Sequence, residues 1–231
     1  MGTIYLVRHG QAAYGTEDYD RLTETGFAQA RLLGKYFGLR QIRFDGVYVG
    51  ELRRHAETLQ GILEGYPVAS DIPRPERCAG LNEYSADALV LAHTGSRPEP
   101  DPAAARRDTC LVRERFRVLK HALLAWAEGG IQPVGMPAWQ AFQDAVVATL
   151  VEARQRFPEG NVLMISSGGP ISAAVAAALR APAQTAVELN LRMRNSSVTE
   201  FASSARRHAL VCFNALPHLD TRPDSIMTTY A

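Results

Sequence analysis

Thr3-Ile4-Tyr5-Leu6-Val7-Arg8-His9-Gly10 governs the reading of the whole chain. A β-branched and aromatic run of this length reads as a buried strand, and it stops abruptly at a basic pair followed by glycine. The strand therefore delivers two cationic side chains to its carboxyl end, and Gly10 lets the backbone turn. In open α/β sheets, ligands sit beyond the carboxyl ends of strands, so Arg8 and His9 stand where a site would form. A strand ending in a solvated Arg-His pair is the plain alternative. The stretches downstream decide between the two.

After a polar loop at residues 12–20, Leu22-Thr23-Glu24-Thr25-Gly26 opens a helix. Thr23 is a good N-cap, Glu24 suits a first turn, and Phe27, Ala30, Leu33 and Phe37 recur at helical spacing. Residues 46–50 read as a short strand, and 51–64, with Leu52, Ala56, Leu59 and Leu63 on one face, as a second helix. Strand, helix, strand, helix predicts parallel strands with helices on the sheet faces. A short strand near Arg77 leads to Leu81-Asn82-Glu83-Tyr84.

The rhythm breaks over residues 85–137. Residues 93–102 form a Pro-rich loop, Val112, Phe116, Leu119, Leu123 and Trp126 mark a helix, and residues 129–137 break the chain again. Trp139, Phe142, Val146, Leu150 and Ala153 lie on one helical stripe. The α/β pattern resumes with the apolar strand 161–165, then Ser166-Ser167-Gly168-Gly169-Pro170 and a small-residue helix over 171–180. Pro170 suits a first helical position and a serine just ahead can cap it. Residues 187–191, 197–201 and 209–213 read as closing strands, the last two antiparallel. Residues 85–137 are too short and too broken to own a core, so the expectation is one domain over 1–231 with an insertion roofing the site.

Composition narrows the function classes. Of 231 residues, 46% are hydrophobic and 21% charged, as in an ordinary globular chain. The net charge of +1 gives no general pull toward nucleic acid or anionic membranes, so any phosphate chemistry must come from a local cluster of cations. Cys78, Cys110 and Cys212 are odd in number and scattered, against both a disulfide framework and a zinc site, and they fit a reducing cytoplasm. No signal peptide and no membrane span is expected.

Arg8-His9-Gly10, Leu22-Thr23 with Gly26 and Gln29-Ala30, Leu52 with Arg54 and Thr58, Leu81 with Glu83, and Gly168-Gly169 after a strand together resemble the histidine phosphatase (phosphoglycerate mutase-like) superfamily. The pieces run in the right order over nearly the whole chain. The resemblance implies a three-layer α/β/α sandwich, a mostly parallel sheet with an antiparallel edge, a phosphohistidine intermediate, and neither metal nor cofactor. The elementary chemistry agrees. A neutral imidazole is a competent nucleophile toward phosphorus, which gives His9 its role. A phosphoryl group in transfer needs fixed cations and amide donors around its oxygens, and Arg8 and Arg54 supply guanidinium forks. Glu83 is the proton donor to the leaving alkoxide if its pKa is raised. The amides of Gly168 and Gly169, at a helix start, form an anion cradle. Tyr84 offers an apolar wall as part of the lid; Trp126 and Trp139 could add to it, although core packing is the commoner use for both tryptophans.

Arg53 competes with Arg54 for the clamp, but the spacing from Leu52 and to Thr58 favours Arg54 and leaves Arg53 as a surface cation. His55, His93, His121, His208 and His218 read as ordinary surface or hydrogen-bonded histidines, since none forms a metal-spaced cluster.

Two departures matter. Ser167 stands where the superfamily usually carries a second histidine, marking a subgroup, and Gly15 stands where many relatives have asparagine. Loss of one positioned oxyanion donor costs about 10²–10³ in rate. The expected function is a phosphomonoesterase of weakened activity on a small phosphorylated molecule, with phosphate or sulfate binding at the site and room for a homodimer. No long basic insertion is present to grip a bisphosphate, which favours hydrolysis over a mutase. The competing readings are a pseudophosphatase that binds a phosphorylated ligand without turnover, and a serine hydrolase built on Ser167 with His208 or His218 as base. The last lacks the leading glycine of G-x-S-x-G, because Ile165 occupies that place.

Overall fold

The computed structural model describes residues 1–13, 18–96, 109–220 and 227–230, with the backbone alone for 109–112. Six strands form one sheet: β1 (Gly2–Arg8), β2 (Gly46–Val49), β3 (Glu76–Arg77), β4 (Asn161–Ser166), β5 (Val198–Ser203) and β6 (His208–Ala215). Their order is β3-β2-β4-β1-β5-β6. β1, β2, β3 and β4 run parallel, whereas β5 and β6 add an antiparallel edge. The principal helices are α1 (Glu24–Leu39), α2 (Arg53–Gly65), α3 (Ala86–Thr94), α4 (Thr109–Ala127), α5 (Trp139–Arg156), α6 (Gly168–Leu179) and α7 (Ala183–Asn190).

Alternation along β1 divides the core in two. Tyr5 and Val7 face Leu33, Phe37, Leu59 and Ile62 of α1 and α2. Ile4 and Leu6 face Val146 and Leu150 of α5 and Ile171 and Val175 of α6. A central strand buried on both faces reads as a continuous apolar run, and the sandwich has three layers because helices cover each face. A third cluster lies outside the α5/α6 layer. There Leu89, Leu123 and Trp126 of α3 and α4 pack with Trp139, Phe142, Ala173, Ala186 and Val187. Trp126 meets Trp139 edge to face at 5.2 Å and donates to the Pro137 carbonyl.

Three local expectations need correction. Residues 187–191 belong to α7 rather than to a closing strand, since Ala186 and Val187 bury themselves against Trp126 and override the β-branched signal. His93 ends a helix instead of opening a loop. Ser85 caps α3 by accepting from the Ala88 amide, and Gly95, left-handed at φ 73°, closes it. α6 begins at Gly168, which puts Pro170 third, and Ser167 at its N-cap makes no capping bond because its hydroxyl turns elsewhere. Gly15 and residues 97–102 lie outside the described residues.

Candidate active site

The carboxyl ends of the parallel strands gather the chemistry. β1 and β4 are in register so that Arg8 sits beside Ser166, and the next residues, His9 and Ser167, leave the sheet together. His9 is pinned at its backbone: its amide donates to the Ser166 carbonyl at 2.9 Å and its carbonyl accepts from the Ser196 amide at 3.1 Å. Gly10 is needed for a close approach. A Cβ there would overlap the Gly26 carbonyl at the start of α1, so the loop could not pass under that helix. The Gly10 amide donates to Thr58 Oγ1, which itself donates to the Arg54 carbonyl. One threonine on α2 thereby ties the histidine loop to the turn that carries Arg54.

The ring of His9 is only 3% exposed. Its Nδ1 lies 2.8 Å from the Gly10 carbonyl, which can only accept, so Nδ1 carries the proton and Nε2 presents a lone pair. Burial, then Arg8, Arg54 and His55, hold the imidazole well below its ordinary pKa and keep it neutral.

Both arginines are buried. An Arg8 Nη1 donates to the Met193 carbonyl, and Arg54 Nη1 donates to Asp20 Oδ1 at 2.7 Å. The Nε atoms of Arg8 and Arg54 are buried with no protein partner. Two buried guanidinium donors free of protein partners beside a neutral imidazole are suited to holding an anion. Arg53, by contrast, is exposed and paired with Asp18 and Glu57.

Glu83 and Tyr84 follow a short 3₁₀ turn, Ala79–Leu81, fixed when Ser166 Oγ donates to the Leu81 carbonyl. Both Glu83 oxygens accept from the Gly169 amide at 3.2 Å. The Gly169 amide is therefore committed to Glu83 and is not a bare part of an anion cradle. Burial raises the Glu83 pKa, against the lowering effects of Arg54, the Gly169 amide and Arg8. Gly168 starts α6 beside Arg8: a Cβ on it would stand 3.8 Å from Arg8 Nε. The Tyr84 hydroxyl accepts from Asn190, and its ring packs on Trp126 and Phe142.

His55 is the residue that sequence reasoning passed over. It is fully buried, its ring centroid is 5.9 Å from that of His9, and its Nε2 lies 2.7 Å from Ser167 Oγ. Ser167 thus pairs with neither histidine expected of a serine hydrolase. His218 Nε2 meets Ser196 Oγ at 2.9 Å, and His208 stacks edge-on against Phe201. The available signal was proximity: His55 adjoins Arg54 on the first turn of α2.

Known proteins resemble this chain in sequence and in fold. The pattern of the histidine phosphatase superfamily (branch 1) matches residues 4–95 and 109–216. A 2,3-bisphosphoglycerate-dependent phosphoglycerate mutase of Afipia carboxidovorans is 36% identical over 99 residues, covering 36% of this chain and 47% of its own. The mitochondrial serine/threonine-protein phosphatase Pgam5 of Caenorhabditis briggsae is 38% identical over 71 residues, 31% of this chain and 24% of its own. The aligned stretches thus span under half of each curated relative. Among solved structures, a phosphoserine phosphatase mutant from Entamoeba histolytica, in complex with phosphoserine, superposes with a TM-score of 0.63 at 19% identity, over 95% of this chain and 100% of its own. A phosphoglycerate mutase from Bacillus anthracis gives a TM-score of 0.62 at 18% identity, over 94% and 95%.

Proposed function

The chain belongs to the histidine phosphatase superfamily, and from that premise we propose that it hydrolyses phosphomonoesters through a phosphohistidine at His9. The observation that carries the reading is a neutral, buried imidazole with its proton on Nδ1, flanked by two buried guanidiniums that each keep an unpartnered Nε. In the first step the His9 Nε2 lone pair attacks phosphorus and the ester P–O bond breaks. Glu83, whose pKa burial raises, gives its proton to the departing oxygen. In the second step water attacks the phosphohistidine, Glu83 takes its proton, the P–N bond breaks, and phosphate leaves. Arg8, Arg54, Ser167 and the Gly168 amide hold the phosphoryl oxygens throughout, where positioned donors do most of the catalytic work.

The substrate is a small phosphorylated molecule, a reading supported by the phosphoserine bound to the Entamoeba relative. Residues 85–96 and 113–137, with Tyr84 at their root, roof the site and select among substrates. Binding without turnover is favoured by one feature: Ser167 carries no positive charge where a stronger donor would speed the reaction. Hydrolysis of p-nitrophenyl phosphate by the wild type and His9→Ala separates the readings. Loss of turnover in the variant, with a phosphate adduct on His9 trapped by rapid quench in the wild type, supports hydrolysis. Equal rates in the two proteins defeat it.

A further inference from the structure

His55 has no role in the steps just described, yet it is wholly buried within 5.9 Å of the His9 ring. Its placement depends on an absence elsewhere. A Cβ on Gly50, just beyond β2, would overlap His55 Nδ1, so a glycine at that position is what admits an imidazole. The ring then lies against the Gly50 backbone, which nudges its pKa up although Nδ1 makes no well-aligned hydrogen bond there, while Nε2 meets Ser167 Oγ at 2.7 Å. A residue that merely filled this space would more simply be apolar, since a buried nitrogen without a well-aligned partner is costly.

We propose that His55 is a positioning residue, whose Nε2–H donates to Ser167 Oγ and so directs the serine's own hydroxyl proton at the phosphoryl oxygens. The inference rests on the phosphatase reading above. Proton accounting at the pair fixes the tautomer it requires. With the ring proton on Nε2, Oγ accepts from His55 and keeps its own hydrogen for an anion. With the proton on Nδ1, Nε2 would take the hydroxyl hydrogen, and Ser167 would face an anion with lone pairs alone. The groups around His55 are Arg54, His9, Asp20 and Ser167. Burial and Arg54 pull its pKa down to about 3 against the raising effects of Asp20 and the Gly50 backbone, so at neutral pH the ring orients the hydroxyl without adding charge. Gly50, His55 and Ser167 then act as one unit: the glycine makes space, the imidazole sets direction, and the serine makes the contact.

Two measurements test this on the full chain. Nitrogen-15 spectra of histidine-labelled protein, with the His55 signals assigned by their loss in His55→Gln, should show a proton on Nε2. A proton on Nδ1 alone overturns the inference whether or not the protein turns over substrate. In p-nitrophenyl phosphate kinetics, His55→Phe should lower kcat about tenfold with KM little changed, less than the loss expected for deleting an oxyanion donor outright. His55→Gln, which restores an N–H near the Nε2 position, should recover most of that loss. Ser167→Ala and the double variant His55→Phe/Ser167→Ala should match each other, because removing the director of an absent hydroxyl costs nothing more. Additive losses, or Gln as poor as Phe, overturn the proposal. If the wild type shows no His9-dependent turnover, the hydrolytic reading fails separately. The same cycle is then read on inorganic phosphate affinity by calorimetry, where coupled losses support the His55–Ser167 unit and independent losses discard it.

Discussion

Acid should unfold this protein through its buried histidines, and His218 is the place to see it. His218 and His55 are both buried and both held at about pKa 3 by desolvation, against an ordinary 6.5. Their folded pKa values lie below the unfolded ones, so between about 6.5 and 3 the unfolded chain binds the extra protons, and stability falls as pH falls. At about pH 5, one and a half pH units below the ordinary histidine value, each contributes a loss of about 2 kcal/mol at 1.36 kcal/mol per unit. The pair together costs about 4 kcal/mol against a total stability of about 5–15 for a typical domain. His9, also driven down by burial, acts in the same direction. Urea unfolding at about pH 7.5 and about pH 5, extrapolated linearly, measures the loss. His218→Gln keeps a donor for Ser196 Oγ and removes one titrating group, so its loss should be smaller than the wild type's by about 2 kcal/mol. Wild type and variant profiles of identical shape, differing only by a constant offset, would refute the reasoning.

Three further outcomes follow from the site and its supports. Asp20→Asn frees Arg54 Nη1 from a partner that is 38% exposed, and should tighten inorganic phosphate binding by about twofold to fivefold, since such half-exposed pairs are worth under about 1 kcal/mol; calorimetry reads it, and weaker binding counts against Arg54 as the clamp. Glu83→Gln should slow an alkyl phosphate by about 10²–10⁴ but p-nitrophenyl phosphate much less, because nitrophenolate leaves without a proton; wild-type turnover of the alkyl ester should decline as pH rises past the raised Glu83 pKa. Thr23→Ala removes the hydroxyl that accepts from the Gly26 amide and should cost about 1 kcal/mol in urea unfolding.

The layers of the sandwich were legible because the sequence repeats one decision. An apolar strand ends, a cap follows, and an amphipathic stripe covers the face just made, as at Thr23 before α1; on α2 the stripe read as Leu52, Ala56, Leu59 and Leu63 is rotated, since Ala56 is exposed and Leu59 and Ile62 carry the buried face. Arg8, His9 and Arg54 were legible for the same reason, since Arg8 ends β1, His9 follows it and Arg54 lies in the first turn of α2; Glu83, in an irregular connection, was reached through the resemblance that it carries with Leu81. Segments 86–94 and 183–190 were harder. Their helices are short and cover other helices instead of the sheet, so a brief apolar run such as Val187 to Leu191 carries no period that separates helix from strand. His55 was illegible for a deeper reason. Nothing in the spacing of a single histidine tells whether the residue facing it is a glycine, and its burial depends on Gly50 lying alongside and on β4 bringing Ser167 across.

On the proposed mechanism one carboxyl group, that of Glu83, serves two opposite steps. Burial pushes its pKa up, while Arg54, the Gly169 amide and Arg8 pull it down. A phosphate ester arriving between the arginines brings negative charge that offsets their pull, and like charge nearby favours the neutral acid. Substrate binding therefore loads the proton that the leaving group needs. Once that proton is spent, the carboxylate remains at the N-terminal end of α6 with the Gly169 amide aimed at both its oxygens, a setting that stabilises the ionised form until water must be deprotonated. On that mechanism the Gly169 amide, lost to the anion cradle, keeps the carboxylate ionised and so available as the base of the second step.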